Sequence, residues 1–195
     1  MNLTHTKDWM NRFFDVIEEH KAFLSELDNP IGDGDHGHNM ARGAKAAREA
    51  LEAKDPESLE ALFKSIGMSL LSKVGGASGP LYGSVFLAFA KTLNNQNEIT
   101  NPKELFNEGL DAIKRRGKAT VGEKTMVDVW EPFVNKLEES PVSFEDIDTM
   151  VLNTKPLKAT KGRAAYLGER SIGHIDPGSY SSGLLFKTFL EVYKA

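Results

Sequence analysis

The sequence predicts an all-α fold, a helical bundle or closed helical barrel of about eight helices. Apolar residues recur at three- to four-residue spacing in eight segments, which is the pattern of amphipathic helices. The chain has no strand-like alternation of useful length and no internal repeat. Loops rich in Gly or Asp separate the helices near Asp33, Gly76, Gly117 and Asp176. Alternate connections of an up-and-down bundle lie at one end, so we expect these four loops to meet there and form the functional site.

Composition excludes several classes of function. We expect residues 1–195 to form a single domain, because 40% hydrophobic and 27% charged residues are ordinary for a globular chain of this length. The net charge of -4 gives no basic surface for nucleic acid or anionic lipid. The absence of Cys excludes disulfides, iron–sulfur clusters and thiolate metal sites. No signal peptide and no apolar stretch of about 20 residues occur, so we expect a cytoplasmic protein without membrane contact.

The first three predicted helices surround an Asp-rich loop. Residues 7–24 place Trp9, Phe13 and Ile17 on one apolar face. Residues 40–53 are rich in Ala, which favours a second helix. A third helix is predicted to begin at Asp55, because Asp caps helix N-termini and Pro56 suits the first turn.

The Asp-rich loop, residues 28–39, holds three carboxylates, two imidazoles, three glycines and a proline. Gly and Pro prevent a continuous helix or strand here, so the loop can fold back and aim Asp28, Asp33 and Asp35 at one point. Three converging carboxylates repel one another unless a cation neutralises them. Hard oxygen ligands indicate Mg²⁺, which adds substrate phosphates to its coordination shell. The structural alternative is a turn that caps the next helix, and a helix–loop–helix calcium site is set aside because Ala44 stands where its bidentate Glu belongs.

A second loop, residues 75–84, is rich in small residues and precedes an apolar helix predicted over residues 85–93. Small residues let backbone N–H groups approach a ligand closely, and the positive end of the helix dipole faces the loop. Pro80 suits the first turn of a helix. The stretch therefore indicates a phosphate cradle without the Walker motif. The alternative is that Gly75, Gly76 and Gly79 merely permit a tight turn between closely packed helices.

A third loop follows a helix predicted from Pro102 to about Lys114. Residues 114–128 include five cations, at Lys114, Arg115, Arg116, Lys118 and Lys124. Cations at a helix C-terminus can simply offset the dipole. Alternatively, Thr125 or Lys124 faces the ligand and Met126 forms an apolar wall for a planar base. A helix is then predicted over residues 126–137, with Pro132 as a kink or a late start.

The last signature, residues 161–178, follows an amphipathic segment over residues 143–152. Arg163 and Arg170 are seven residues apart and can share a helix face. The sequence at 176–178, Asp-Pro-Gly, is typical of a turn. His174 is either a helix-terminal hydrogen-bonding residue or a ligand contact. A final helix is predicted over residues 181–193.

Four stretches together, residues 32–40, 75–83, 115–128 and 161–178, resemble the nucleotide-binding L subunit of dihydroxyacetone kinase. The resemblance covers nearly the whole chain in order. It implies an eight-helix antiparallel up-down barrel whose open end holds a nucleotide, ADP or ATP, and two Mg²⁺ ions. The metal ligands of the family fall on Asp28, Asp33 and Asp35. Its nucleotide contacts fall on a longer set: His36, Gly37, His38, Asn39, Ala77, Ser78, Gly117, Met126, Arg163, Asp176, Pro177 and Gly178.

The resemblance also implies an activity. One form of the family is fused to a dihydroxyacetone-binding domain and uses ATP, whereas a separate subunit keeps ADP bound as a coenzyme. A stand-alone chain of 195 residues resembles the second form. In that form a phosphohistidine on the M subunit of the phosphotransferase system rephosphorylates ADP, and the K subunit holds dihydroxyacetone. Arg163 is the predicted catalytic residue.

Two other functions stay open from the sequence. A kinase of the same fold could serve another small polyol, ketose or carrier-bound substrate, since substrate choice resides on the partner. A nucleotide-sensing regulatory protein would use the same loops to hold ADP and Mg²⁺ without phosphoryl exchange.

Overall fold

Helices account for nearly all regular structure in residues 1–193, the part of the chain that the computed structural model describes. They are α1 Leu3–Glu19, α2 Lys21–Asp28, α3 His36–Ala53, α4 Leu59–Lys73, α5 Ser78–Thr92, α6 Pro102–Gly117, α7 Val127–Glu139, α8 Phe144–Leu152, the 3₁₀ helix η1 Arg163–Ser171, and α9 Pro177–Tyr193. Extended pairing within these residues is limited to one bridge between Asn2 and Glu98. The predicted all-α fold is confirmed.

The first predicted helix, over residues 7–24, is longer than expected and divided in two. It begins at Leu3, where the Asn2 side chain accepts a hydrogen bond from the His5 N–H. It is interrupted at His20, whose φ of -94° and ψ of 5° are not helical. Counting α1 and α2 as one bent rod gives eight α-helical rods, the number that the periodicity predicts.

Each helix packs against the next one along the chain, from α2 through to α9, and α9 returns to pack against α1. This order is the one that a closed up-and-down arrangement requires. The closed barrel itself stays a prediction, and buried side chains fill the interior between the helices.

Aromatic rings fill that interior. Phe106 of α6 is fully buried, and its ring centroid lies within 6 Å of six other aromatic rings. Trp9 of α1 packs edge-on against Phe189 of α9, with ring centroids 5.0 Å apart. The Trp9 Nε1–H donates to the Leu185 carbonyl of α9 at 3.2 Å, so α9 is fastened to α1 by packing and by a hydrogen bond.

Four predicted helix boundaries that bear on the site are wrong. Helix α3 begins at His36 rather than at residue 40. Helix α5 begins at Ser78 rather than at residue 85, α6 extends to Gly117, and α9 begins at Pro177 rather than at residue 181. Gly79 and Gly83 therefore lie inside α5, where there is no room for a side chain. A Cβ at Gly79 would stand 2.4 Å from the Val74 carbonyl oxygen. Both glycines serve close packing of α5, which is what the structural alternative proposed for Gly79.

The prediction that Arg163 and Arg170 share a helix face is also wrong. Residues 163–171 form 3₁₀ helix, and Gly168 interrupts it with a φ of 55° and a ψ of -125°. The interruption removes the regular spacing that would align the two side chains. Only Arg163 of the two lines the cavity described below.

No helix in residues 1–193 is long and apolar enough to cross a membrane. The cytoplasmic location stays a prediction.

We predict that Phe106→Ala destabilises the protein by about 3–5 kcal/mol, because it removes a buried ring and leaves a cavity. Urea unfolding followed by circular dichroism measures the free energy of unfolding. Phe144→Ala is the matched control, because Phe144 is 43% exposed and its loss should cost less than about 1 kcal/mol. Equal losses for the two variants would contradict the account of the core.

Candidate functional site

A cavity of about 710 Å³ opens at the end of the molecule where α3, α5, α7 and α9 begin. All four predicted loops contribute to its lining, as do the last turns of α6. The prediction that these loops meet at one end is therefore confirmed. The volume of the cavity lies in the range of small-molecule and cofactor sites.

The three aspartates converge on one side of this cavity. Asp28, Asp33 and Asp35 each offer a carboxylate oxygen, and these oxygens lie within 4.8 Å of one another. Asp28 is 9% exposed, and its Oδ2 accepts hydrogen bonds from the N–H groups of Asp35 at 3.0 Å and His36 at 3.2 Å. Burial raises the pKa of Asp28 despite these donors, and the neighbouring carboxylates add to the rise.

Two glycines make the tight course of this loop attainable. A Cβ at Gly32 would stand 2.0 Å from Asp28 Oδ1. Gly34 has a φ of +74°, and a Cβ there would stand 2.1 Å from Asn29 Oδ1. Side chains at either position would displace the carboxylate cluster.

An ion pair joins the two sides of the cavity. The Arg163 guanidinium, at the start of η1, contacts the Asp33 carboxylate. Partial burial alone would raise the pKa of Asp33, but hydrogen bonding with Asp35 and the positive charge of Arg163 prevail and lower it. Arg163 follows Gly162, which has a φ of +63°. Its side chain is 69% exposed, so solvent weakens the pair.

The N-terminus of α5 faces the same cavity with its backbone donors open. Ala77 occupies the N-cap position and has no polar side chain that could cap the helix. Gly76, with a φ of +65°, turns the chain into it. A helix N-terminus with free N–H groups attracts anions, above all phosphate.

His36 lies at the floor of the cavity between three helices. Its Nδ1 contacts Ser78 Oγ of α5 at 2.9 Å, and its Nε2 contacts Ser181 Oγ of α9 at 3.0 Å. Burial lowers its pKa to about 4, so the imidazole is neutral at pH 7. Asn39, one turn further along α3, also lines the cavity.

Gly37 and His38 do not line the cavity, in contrast to all the other predicted site residues. Gly37 faces α2, where a Cβ would stand 1.8 Å from the Lys21 carbonyl oxygen. His38 is exposed, and its Nδ1 contacts Ser25 Oγ at 3.0 Å. Their predicted contact with a nucleotide finds no support in the shape of the cavity.

An apolar wall lies on the side of the cavity formed by α5, α6 and α7. Ile113, Ala119 and Met126 are buried there, and a Cβ at Gly117 would stand 3.3 Å from Leu81 Cδ2. Sequence reasoning identified Met126 and Gly117 but missed Ile113, Ala119 and Leu81. Ile113 and Leu81 have the same helical spacing as core residues, and Ala119 lies in the loop after α6, so no signal in the sequence marks these three as lining residues.

Lys124 and Thr125 both line the cavity, but the Lys124 ammonium donates to backbone carbonyls. Lys124 is 2% exposed, and its ammonium donates to the carbonyls of Thr154 at 2.7 Å, Leu157 at 3.1 Å and Lys155 at 3.3 Å, and also to the His174 carbonyl. Burial lowers its pKa. The ammonium fastens the chain before η1 and the chain before α9 to the loop that precedes α7.

Asp176 caps α9 at the edge of the cavity. Its Oδ2 accepts a hydrogen bond from the Ser179 N–H at 2.7 Å, and Pro177 occupies the first helical position. Burial raises its pKa to about 6. The Ser179 hydroxyl donates to the Thr125 carbonyl at 2.9 Å, so the turn at residues 176–178 is held against the loop before α7.

The chain is similar to known proteins in sequence and in fold. The family model described as DAK2 domain matches residues 30–191. A Lactococcus lactis protein, "PTS-dependent dihydroxyacetone kinase, ADP-binding subunit DhaL", is 54% identical over 192 residues, which are 98% of each chain. The Escherichia coli "PEP-dependent dihydroxyacetone kinase, ADP-binding subunit DhaL" is 41% identical over 93% of each chain.

A solved structure shares the fold. The dihydroxyacetone kinase of C. freundii, in complex with AMP-PNP and Mg²⁺, superposes with a TM-score of 0.74 at 26% identity. The match covers 94% of this chain and 33% of that chain, so the present fold corresponds to one third of the larger kinase. By full-length identity, by family match and by fold, the chain belongs to the DAK2 domain family, which includes the ADP-binding subunits of dihydroxyacetone kinase.

Proposed function

We propose that this chain is the ADP-binding subunit of a phosphoenolpyruvate-dependent dihydroxyacetone kinase. By way of bound ADP/ATP and Mg²⁺, it relays a phosphoryl group from a phosphohistidine on the M subunit of the phosphotransferase system to dihydroxyacetone held on the K subunit. The observation that carries the proposal is the three-aspartate cluster beside the open N-terminus of α5 in one cavity. We take residues 1–195 as one phosphoryl-transfer domain.

The aspartate cluster fits magnesium in its donor chemistry. Asp28, Asp33 and Asp35 supply hard carboxylate oxygens, and their spacing brings three negative charges within 4.8 Å. When bound, two Mg²⁺ ions would neutralise phosphate charge and orient the phosphoryl group for transfer. The buried Asp28 is held by two backbone donors, so it supplies a rigid ligand, whereas the more exposed Asp33 exchanges between Arg163 and a cation.

The remaining lining residues fit a nucleotide with its phosphates toward the cluster. The N–H groups of α5 and the Ser78 hydroxyl are placed to donate to phosphate oxygens. The apolar wall around Met126 and Gly117 is suited to a planar base. Other proposed nucleotide contacts are His36, Asn39, Ala77, Asp176, Pro177 and Gly178.

Arg163 is the proposed catalytic residue. Phosphoryl transfer requires positioning and charge neutralisation rather than a protein nucleophile. A guanidinium that already reaches Asp33 can turn to a phosphoryl oxygen within the same cavity. Its exposed position lets it act while a partner subunit docks at the mouth.

We predict that Asp33→Asn leaves the helical fold intact but weakens Mg²⁺-dependent ADP binding by at least about tenfold, because a charged metal ligand is lost. Isothermal titration calorimetry with ADP and Mg²⁺ measures the dissociation constant. Asp55→Asn is the control, because Asp55 is exposed and pairs with Lys7 far from the cavity. Unchanged ADP binding by Asp33→Asn would remove Asp33 from the metal site.

We predict that Arg163→Ala slows phosphoryl transfer by about 100-fold, the loss typical of removing one preorganised transition-state contact. Its melting temperature should change little, because an exposed ion pair contributes less than about 1 kcal/mol. Rapid-quench assays with the phosphorylated donor subunit measure the rate, and Arg170→Ala is the control. Full turnover by Arg163→Ala would refute its role.

Tight ADP binding without phosphoryl exchange by the unaltered protein would instead identify a nucleotide sensor.

A further inference from the structure

At the cavity floor, polar side chains form a continuous chain of hydrogen-bond contacts through three helices, α3, α5 and α9. The contacts run from Ser78 to His36 at 2.9 Å, from His36 to Ser181 at 3.0 Å and from Ser181 to the Tyr82 hydroxyl at 2.7 Å. Tyr82 and Ser181 are at most 1% exposed. Ser78, His36 and Tyr82 line the cavity, Ser78 being the half-buried one, whereas Ser181 lies behind them, so the chain connects the interior to the proposed phosphate site.

At Ser182, next to Ser181 in α9, the donor and acceptor of two hydrogen bonds are fixed. The Trp130 Nε1–H is a donor only, and it donates to Ser182 Oγ at 2.9 Å. The Ser182 hydroxyl donates its own proton to the Gly178 carbonyl at 2.8 Å. Ser182 also contacts the Tyr82 hydroxyl at 3.0 Å, a longer contact than the one of 2.7 Å between Tyr82 and Ser181, and it makes no contact with His36. Its role is to tie α7 to α9.

The imidazole of His36 couples the hydrogen-bond role of the Ser181 hydroxyl to that of the Ser78 hydroxyl. A neutral imidazole carries one N–H and one lone pair, so when Nε2 accepts a proton from Ser181, Nδ1–H must donate to Ser78. The Ser78 hydroxyl proton is then free to point into the cavity. In the opposite arrangement, Ser181 donates to the Gly178 carbonyl at 3.1 Å, and Ser78 donates to the imidazole. Only the first arrangement offers the cavity a donor.

We propose that Tyr82 and Ser181 are positioning residues that direct the Ser78 hydroxyl proton, through His36, toward a phosphate oxygen in the cavity. This inference rests on the proposed nucleotide function. The Tyr82 hydroxyl donates to Ser181, Ser181 donates to His36 Nε2, and His36 Nδ1–H donates to Ser78. An anionic ligand selects this polarity because it needs a donor from Ser78. Without the ligand, the Gly178 carbonyl competes for the Ser181 proton.

Adjacent serines of α9 provide a matched test. Ser181→Ala and Ser182→Ala each remove one fully buried hydroxyl, but only Ser181 contacts His36. We expect Ser181→Ala and Tyr82→Phe to weaken Mg²⁺-dependent ADP binding roughly fivefold to tenfold, the loss of about one hydrogen bond. The double variant should lose no more ADP affinity than the single variant with the larger loss, because both residues act through one chain. Ser182→Ala should bind ADP as the unaltered protein does, even if its melting temperature falls.

The imidazole ¹⁵N signals of His36 give a second readout that a purely structural role would not move. With ADP and Mg²⁺ bound, the unaltered protein should show the Nδ1–H tautomer, and Ser181→Ala should shift this balance while Ser182→Ala does not. Equal loss of ADP affinity in both serine variants, or an Nε2–H tautomer in the ADP complex, would overturn the inference. Failure of the unaltered protein to bind ADP would overturn the proposed function as well. Normal ADP binding by Ser181→Ala would overturn only this inference.

Discussion

The contact between the Asp28 carboxylate and the first N–H groups of α3 is the interaction on which the site depends. It joins the end of α2 to the start of α3, and the intervening seven residues are drawn into a tight loop. Asp33 and Asp35 are thereby carried to the same point as Asp28. The carboxylate that closes the loop is also one of the three proposed metal ligands, so folding and binding act on the same atoms.

The rest of the fold supplies a rigid frame around this loop. The aromatic core around Phe106 holds the helices together in the body of the molecule. At the cavity end, polar contacts hold the segments together, because backbone and hydroxyl groups there need hydrogen-bond partners that apolar side chains cannot supply. The Lys124 ammonium, the Asp176 cap and the hydroxyls beneath His36 each join segments that are distant in the chain. In the described residues no buried side-chain polar atom is left without a partner.

The sequence allowed the helices and the loops of the site to be predicted because both have short-range signals. Apolar periodicity identified the helical segments, and the concentration of Asp and Gly identified the loop from Asp28 to Asp35. Boundaries at Ser78 and Pro177 were missed because Gly is usually a helix breaker, whereas here glycines of α5 permit close packing. Tyr82, Ser181 and the carbonyl cage of Lys124 could not be predicted, because their roles arise from contacts between residues at least 30 positions apart. For the same reason, the positions of Gly37, buried against α2, and of His38, beside Ser25, emerged only from the packing of α3 on α2.

The most direct test of the central claim is native mass spectrometry of the purified, undialysed protein before and after incubation with the phosphorylated M subunit. The account predicts a mass increment of ADP with Mg²⁺ that gains one phosphoryl group on incubation. A bare chain that binds and releases free ATP, or resident ADP that never accepts a phosphoryl group, would contradict it.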